Sequence, residues 1–388
     1  MLTSLPSLKP SLKRRIYSTL LVVSAISGLS MTSHSLYAQT ETDKQYNTQI
    51  MADSLGVIWG MDWVNDRQLI MTDRNGEVYL FDINTRQKIN LAGLPDIKVS
   101  GQGGLLDVAR YTDSNQQTWF YFTYVKPLDG GNSATTLARA QLDITNKKLT
   151  QWQDLLVTDS ADSSSKHFGS RITFDQQGHV YFGVGDRGNR DNGQNSQNQA
   201  ASILRLNVDG SIPQNNPFVE NKKGNPAVWS FGHRNPQGLV FDQKRKILWE
   251  VEHGPRGGDE INLIKPGLNF GWAKTSHGKE YWNPMDVGEA KTLPGIEAPV
   301  MVYVPSIAPS SAVIYHGEAF SSWNGNMLIG ALAGTHINMV SFDEQNQLKD
   351  EIRLVEDLNE RIRDIIVDEK GLIYFSTDSG KLYQLSPK

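Results

Sequence analysis

The sequence of 388 residues contains no cysteine. Disulfides, a lipoprotein anchor on a lipidated cysteine and thiolate catalysis are therefore excluded, and any metal must be held by oxygen or imidazole. Also missing is any long helical period of apolar residues. No Pro/Ser linker or break in composition divides the chain. Charge of one sign is not in large excess: 38 Lys and Arg stand against 42 Asp and Glu, a formal net charge of −4. That balance gives no support to nucleic acid as a partner.

One apolar run, residues 16–29, follows the basic residues Lys9, Lys13, Arg14 and Arg15, and small residues interrupt it. Leu36-Tyr37-Ala38 then offers a cleavage site before Gln39. Residues 1–38 thus have the pattern of a secretory signal peptide. The run is short against the ~20 residues of a membrane span. A periplasmic or secreted mature chain with no membrane span is expected. Removing 1–38 takes away four positive charges and no negative ones, which leaves 34 basic against 42 acidic side chains, net −8.

What is present is turn-rich, with 34 Gly and 16 Pro. Residues 39–50 are polar and read as a short tether or an edge strand. From 51 onward a β-hairpin phrase recurs: an apolar strand, a turn on Asp, Asn or Gly, then an aromatic-rich strand. Its six copies begin at Trp59, Gly104, Ser170, Gly238, Ser311 and Arg363. One phrase plus a following hairpin makes one four-stranded antiparallel blade, so residues 51–388 are expected to form a single six-bladed β-propeller, all-β. A β-sandwich or two stacked all-β domains is the competing architecture. In a propeller the inner strand ends of every blade converge on one face, so residues distant in sequence can meet there.

Five segments carry groups suited to chemistry. Gln102 lies in SGQGGLLD, whose glycines allow close backbone approach; a solvated Gln on a glycine turn is the alternative. His167 and Arg171 precede the third hairpin, and Asp186, Arg187, Asn189, Arg190 and Asp191 follow it. Both groups are expected at one end of the sheet, because a hairpin brings its outer ends together. Neutral His167 could accept a proton near neutral pH, with Asp186 to orient it; a structural or exposed histidine is the plainer reading. Arg234 and Asn235, in GHRNPQG, suit carboxylates or carbonyls, or merely decorate a proline turn. Asp259 and Glu260, with carbonyl-exposing turns around them, favour Ca²⁺, although the loop lacks EF-hand spacing. Arg361 and Arg363 alternate by two, so they should share one face and await an anion, or form a solvated strand face.

Taken in order, GQGGLLD, HFGSR with GVGDRG, GHRNPQG, EHGPRGGDEIN with NFGW, PSIAPSS and RIRD resemble the soluble pyrroloquinoline-quinone-dependent sugar dehydrogenases, in their aldose sugar dehydrogenase branch. The resemblance runs from about Gly56 to Leu385. It implies an enzyme that oxidises the anomeric carbon of an aldose to a lactone and passes the electrons to an unidentified acceptor. By resemblance His167 is the base and Asp186 its support, with Arg234 beside them. Gln102, Arg234, Asn235, Arg361 and Arg363 would contact the quinone (PQQ) or the sugar. The carbonyls of Gly254 and Pro255 would hold the calcium lying against the quinone. Glu260 and the Phe270 carbonyl would hold a second, structural calcium. Trp272 would be an aromatic surface near the sugar.

The sequence departs from that pattern in places. Ala333 stands where many relatives have a lysine paired with the quinone, with no basic substitute nearby. One charge-assisted contact of ~1.5–3 kcal/mol would be lost, one to two decades of affinity. Ser306 replaces a threonine, and Asp191 falls where the glucose-oxidising branch has a glutamine, which bears on the preferred sugar. Two other functions fit the propeller: a non-catalytic, calcium-stabilised module binding carbohydrate or protein, and a six-bladed calcium lactonase. The lactonase needs a carboxylate and asparagine cage that Arg234, Arg361 and Arg363 would crowd. A monomer and a homodimer are equally compatible with the sequence.

Overall fold

The computed structural model describes residues 45–388; the expected signal peptide lies outside the described residues. These residues form six four-stranded antiparallel sheets, a six-bladed β-propeller. Blade 1 spans 58–90, blade 2 spans 105–157, blade 3 spans 172–231, blade 4 spans 236–303 and blade 5 spans 309–354. Blade 6 takes three strands from 362–387 and its outermost strand from Tyr46–Ala52, which pairs antiparallel with Leu382–Pro387. The propeller therefore starts at Tyr46, five residues ahead of the expected boundary at 51. This strand joins the beginning of the described chain to its end. Among the described residues, helix is confined to short 3-10 turns. None is long and apolar enough to cross a membrane.

The innermost strands are Ile58–Trp63, Leu105–Thr112, Ile172–Phe174, Pro236–Asp242, Pro309–Ile314 and Ile362–Val367, and each touches the next around a closed ring. Alternation along the second strands supplies the packing between blades. In Thr118–Pro127, Phe120, Phe122 and Tyr124 pack against Ile70 and Leu80 of blade 1. Their neighbour Tyr121 turns the other way, onto Ile172 and Phe182 of blade 3. Each such buried side chain stabilises by roughly 1.5–3 kcal/mol, so facing blades hold each other by side-chain burial.

The axis of the ring corrects one expectation. Arg171 does not join His167. Its Nη1 donates to Asp107 Oδ1 at 2.6 Å and to Asp364 Oδ1 at 2.9 Å, and its guanidinium lies 4.4 Å from the Trp59 ring centre. The residue is buried and ties blades 1, 2 and 6 to the edge of blade 3. Burial pushes the Asp364 carboxyl up to about 7, with Arg171 opposing the shift and Asp107 reinforcing it.

Candidate functional site

His167 sits in the loop between blades 2 and 3, with a left-handed backbone (φ 53°). Asp186 follows the strand His179–Val184. The two loops can touch because Gly185 lies between them: a Cβ there would fall 2.3 Å from the His167 carbonyl oxygen. His167 Nδ1 lies 2.6 Å from Asp186 Oδ1. Asp186 is buried, yet its carboxyl is held below the usual carboxylate range. Burial acts to raise it, and the hydrogen bond and charge of His167, the Gly188 N–H and Arg234 outweigh that. An ionised carboxylate only accepts, so Nδ1 must carry the proton and Nε2 the lone pair. Burial also lowers the His167 pKa, aided by Arg234 and Lys166 and opposed by Asp186. The imidazole is therefore neutral at pH 7, with Nε2 available as a base.

Gln102 and Asn235 do related work on this segment. Gln102 Oε1 accepts from the His167 N–H at 2.8 Å, and Asn235 Oδ1 accepts from the Gly169 N–H at 3.3 Å. Arg234 Nη1 donates to the carbonyls of Gly254 at 2.8 Å and His253 at 3.1 Å. Its Nε is buried without a hydrogen-bond partner. Glu252 holds this pair from below: its Oε2 accepts from the backbone N–H of Arg234 at 2.5 Å and of Asn235 at 3.2 Å.

Gly254, Pro255, Glu260 and Phe270 line one small cavity, together with Glu252 and Arg234. Asp259 is not open to a metal as its residue type suggested. It accepts from the Gly254 N–H at 2.9 Å, the Ala308 N–H at 2.7 Å and the Ser306 hydroxyl at 2.5 Å. The carboxylates with spare capacity surround Asn262. Asn262 Nδ2 stands 3.0 Å from Glu250 and 3.3 Å from both Glu252 and Glu260. Burial and mutual repulsion push Glu250 and Glu260 well above their ordinary range. Glu250 Oε1 and Asn262 Oδ1 are buried with no partner.

Arg361 and Arg363 converge as expected, but on an acid of the protein itself. Arg361 Nε donates to Asp378 Oδ2 at 2.9 Å and Arg363 Nε to Asp378 Oδ1 at 2.8 Å. Strict alternation does not bring them together: Arg361 precedes the strand Ile362–Val367, and the register shifts between Ile362 and Asp364. Arg361 Nη1 also donates to the Leu332 carbonyl at 3.1 Å. A guanidinium from blade 6 thus reaches the segment containing Ala333, where no basic group was expected.

His253 links the two arginine groups. Burial, then the positive charges of Arg234 and Arg363, push it down to about 3 despite its bond to Pro309. Being neutral, its Nε2–H donates to the Pro309 carbonyl at 2.7 Å. Trp272 is buried rather than offered as a sugar-facing surface, and Arg234 lies 5.3 Å from its ring centre. Sequence reasoning passed over Glu252, His253 and Asp378. Two arginines two residues apart did demand a counter-charge, and Asp378 follows the next strand, Ile373–Thr377. Glu252 and His253 lie inside EHGP and carried no separate signal.

Comparison with known proteins places the chain among sugar dehydrogenases. The family model for glucose/sorbosone dehydrogenase matches residues 55–384. The chain is 32% identical to the aldose sugar dehydrogenase YliI of Escherichia coli strain K12, over 88% of this chain and 93% of that protein. It is 25% identical to quinoprotein glucose dehydrogenase B of Acinetobacter calcoaceticus, over 93% of this chain and 91% of that one. The crystal structure of the soluble aldose sugar dehydrogenase of Escherichia coli in its apo-form superposes with a TM-score of 0.84 at 30% identity, covering 88% of this chain and 100% of that one. With that family model matching residues 55–384 and a relative 32% identical over 88% of the chain, the protein belongs to the glucose/sorbosone dehydrogenase family.

Proposed function

We propose that the protein is a PQQ- and calcium-dependent aldose sugar dehydrogenase that oxidises the anomeric carbon of its sugar to a lactone. The observation that carries this reading is the 2.6 Å contact between His167 Nδ1 and Asp186 Oδ1, which leaves Nε2 as a base. His167 Nε2 takes the proton of the anomeric hydroxyl, and Asp186 stabilises the imidazolium that results. The anomeric C–H bond breaks as the C–O bond becomes a carbonyl, two electrons leave with the hydrogen, and an electron acceptor finally receives them. Bound pyrroloquinoline quinone would supply the hydride acceptor, and calcium would supply Lewis-acid polarisation of it.

The residues suit both groups. The quinone carries carboxylates, and Arg234 has a buried Nε with no partner, while Arg361 and Arg363 meet at Asp378. In this reading Arg234, Asn235, Arg361 and Arg363 grip the quinone, and Gln102 acts through the His167 backbone. The carbonyls of Gly254 and Pro255 would hold a calcium; Gly254 keeps a second lone pair after accepting from Arg234. Glu260 and the Phe270 carbonyl hold the second calcium. Three carboxylates crowded onto one amide, two of them buried and with Glu250 Oε1 orphaned, suit a hard divalent cation. The mature chain would act in the periplasm or outside the cell, on an aldose.

The test is aldose-dependent dye reduction by purified protein given PQQ and Ca²⁺. We expect activity with aldoses, and its loss when a chelator removes calcium before PQQ is added. Silence with every aldose at saturating PQQ and Ca²⁺ contradicts the reading and leaves a binding propeller in its place.

A further inference from the structure

Trp272 is 6% exposed, and its indole edge, not its face, meets Asp186. Its Nε1–H donates to Asp186 Oδ2 at 2.7 Å. The other oxygen, Oδ1, faces His167 and accepts the Gly188 N–H at 2.6 Å. Without the indole N–H, Oδ2 would be a buried carboxylate oxygen deprived of its donor. The carboxylate could then turn, or take a proton.

The backbone that carries the indole is itself clamped. The Trp272 backbone N–H donates to the Gly232 carbonyl at 2.8 Å, and the Trp272 carbonyl accepts from Gln194 Nε2 at 2.6 Å. Gly193 is required beside it, because a Cβ there would fall 2.1 Å from that carbonyl oxygen. The donor comes from blade 4 and the carboxylate from blade 3, 86 residues apart.

We propose that Trp272 is a positioning residue for the base: its N–H fixes the Asp186 carboxylate so that Oδ1 receives His167 Nδ1–H and Nε2 is left free to take the proton. The inference rests on the reading of His167 as the base. Arg234, Lys166 and His253 act electrostatically on or with His167, and Arg187, Arg190 and Arg234 on or with Asp186. Arg234 and Arg190 lie 5.3 and 5.6 Å from the Trp272 ring centre, so the substitutions keep an aromatic ring there, and comparing Trp272→Phe with Trp272→His reads the hydrogen bond.

The test is NMR titration of ¹⁵N-histidine-labelled full chain, without sugar or quinone, in wild type, Trp272→Phe and Trp272→His. Wild type is expected to hold neutral His167 in its Nδ1–H form. In Trp272→Phe, with one donor fewer, the carboxylate can turn and its hold on Nδ1–H weakens. The Asp186 hydrogen bond acts to raise the His167 pKa, so His167 is then expected to titrate about one pH unit lower and to populate both tautomers. The acid limb of kcat/KM should move with it. In Trp272→His, a ring Nε2–H stands where the indole Nε1–H stood, and the wild-type tautomer and titration should return. A folded Trp272→Phe with the wild-type titration and tautomer overturns the proposal. If that variant does not fold, a folded Trp272→His with mixed tautomers overturns it instead. Unchanged activity in His167→Ala would sink the base reading alone, since the tautomer is measured without turnover.

Discussion

His167→Ala is expected to lower kcat/KM for aldose oxidation by about 10³-fold, the middle of the range for removing a general base. The fold should survive. The His167 backbone N–H bonds to Gln102 and does not depend on the side chain. The side chain is partly exposed, so water can reach Asp186 in its place. PQQ affinity should change little, because the proposed grip lies with Arg234, Asn235, Arg361 and Arg363. In the proposed mechanism, activity requires neutral His167, and burial holds its pKa below the usual 6.5. Activity should therefore rise with pH through a midpoint below 6.5 and then level off, and steady-state kinetics across pH 4–8 would read that limb. Near wild-type turnover in the Ala variant would remove His167 from the chemistry.

Arg171→Met should have the largest effect on stability. The substitution removes the only charge balancing Asp107 and Asp364 in that triad and leaves two buried carboxylates side by side. Breaking a buried ion pair from one side costs about 3–5 kcal/mol. The sign with pH follows from the carboxylates. Burial already raises the wild-type Asp364 to about 7, and losing Arg171 raises it and Asp107 further. For an acid whose folded pKa exceeds its unfolded value, stability is fully present below the unfolded pKa, near 4, and is lost as pH rises through the folded pKa. The variant should thus approach wild type near pH 4 and fall well short of it at pH 8. Urea midpoints at the two pH values measure this, and equal deficits at both would contradict it.

The blades were legible because each needs only local signals: period-two alternation and a polar turn between aromatic-rich strands. The closing strand Tyr46–Ala52 was only one of two options. Its middle four residues are exposed, so no alternation marks it, and its partner lies at the far end of the chain. In the site, residue types and order were readable, and partners were not. Arg171 and His167 sit four residues apart, yet one turns to the axis and the other to Asp186. Asp259 offered the right chemistry for calcium, but Gly254, Ser306 and Ala308 use its oxygens. Arg361 reaching the Leu332 carbonyl and Trp272 reaching Asp186 are contacts between blades. Such contacts are fixed by how blades stack, which no local pattern encodes.

The most direct measurement is the absorption spectrum of the protein loaded with PQQ and Ca²⁺, recorded without an electron acceptor before and after an aldose is added. The account predicts that the oxidised spectrum converts to the reduced one in wild type within a single turnover, and about 10³-fold more slowly in His167→Ala. A loaded protein whose spectrum stays oxidised with every aldose, or a variant that converts as fast as wild type, would contradict it.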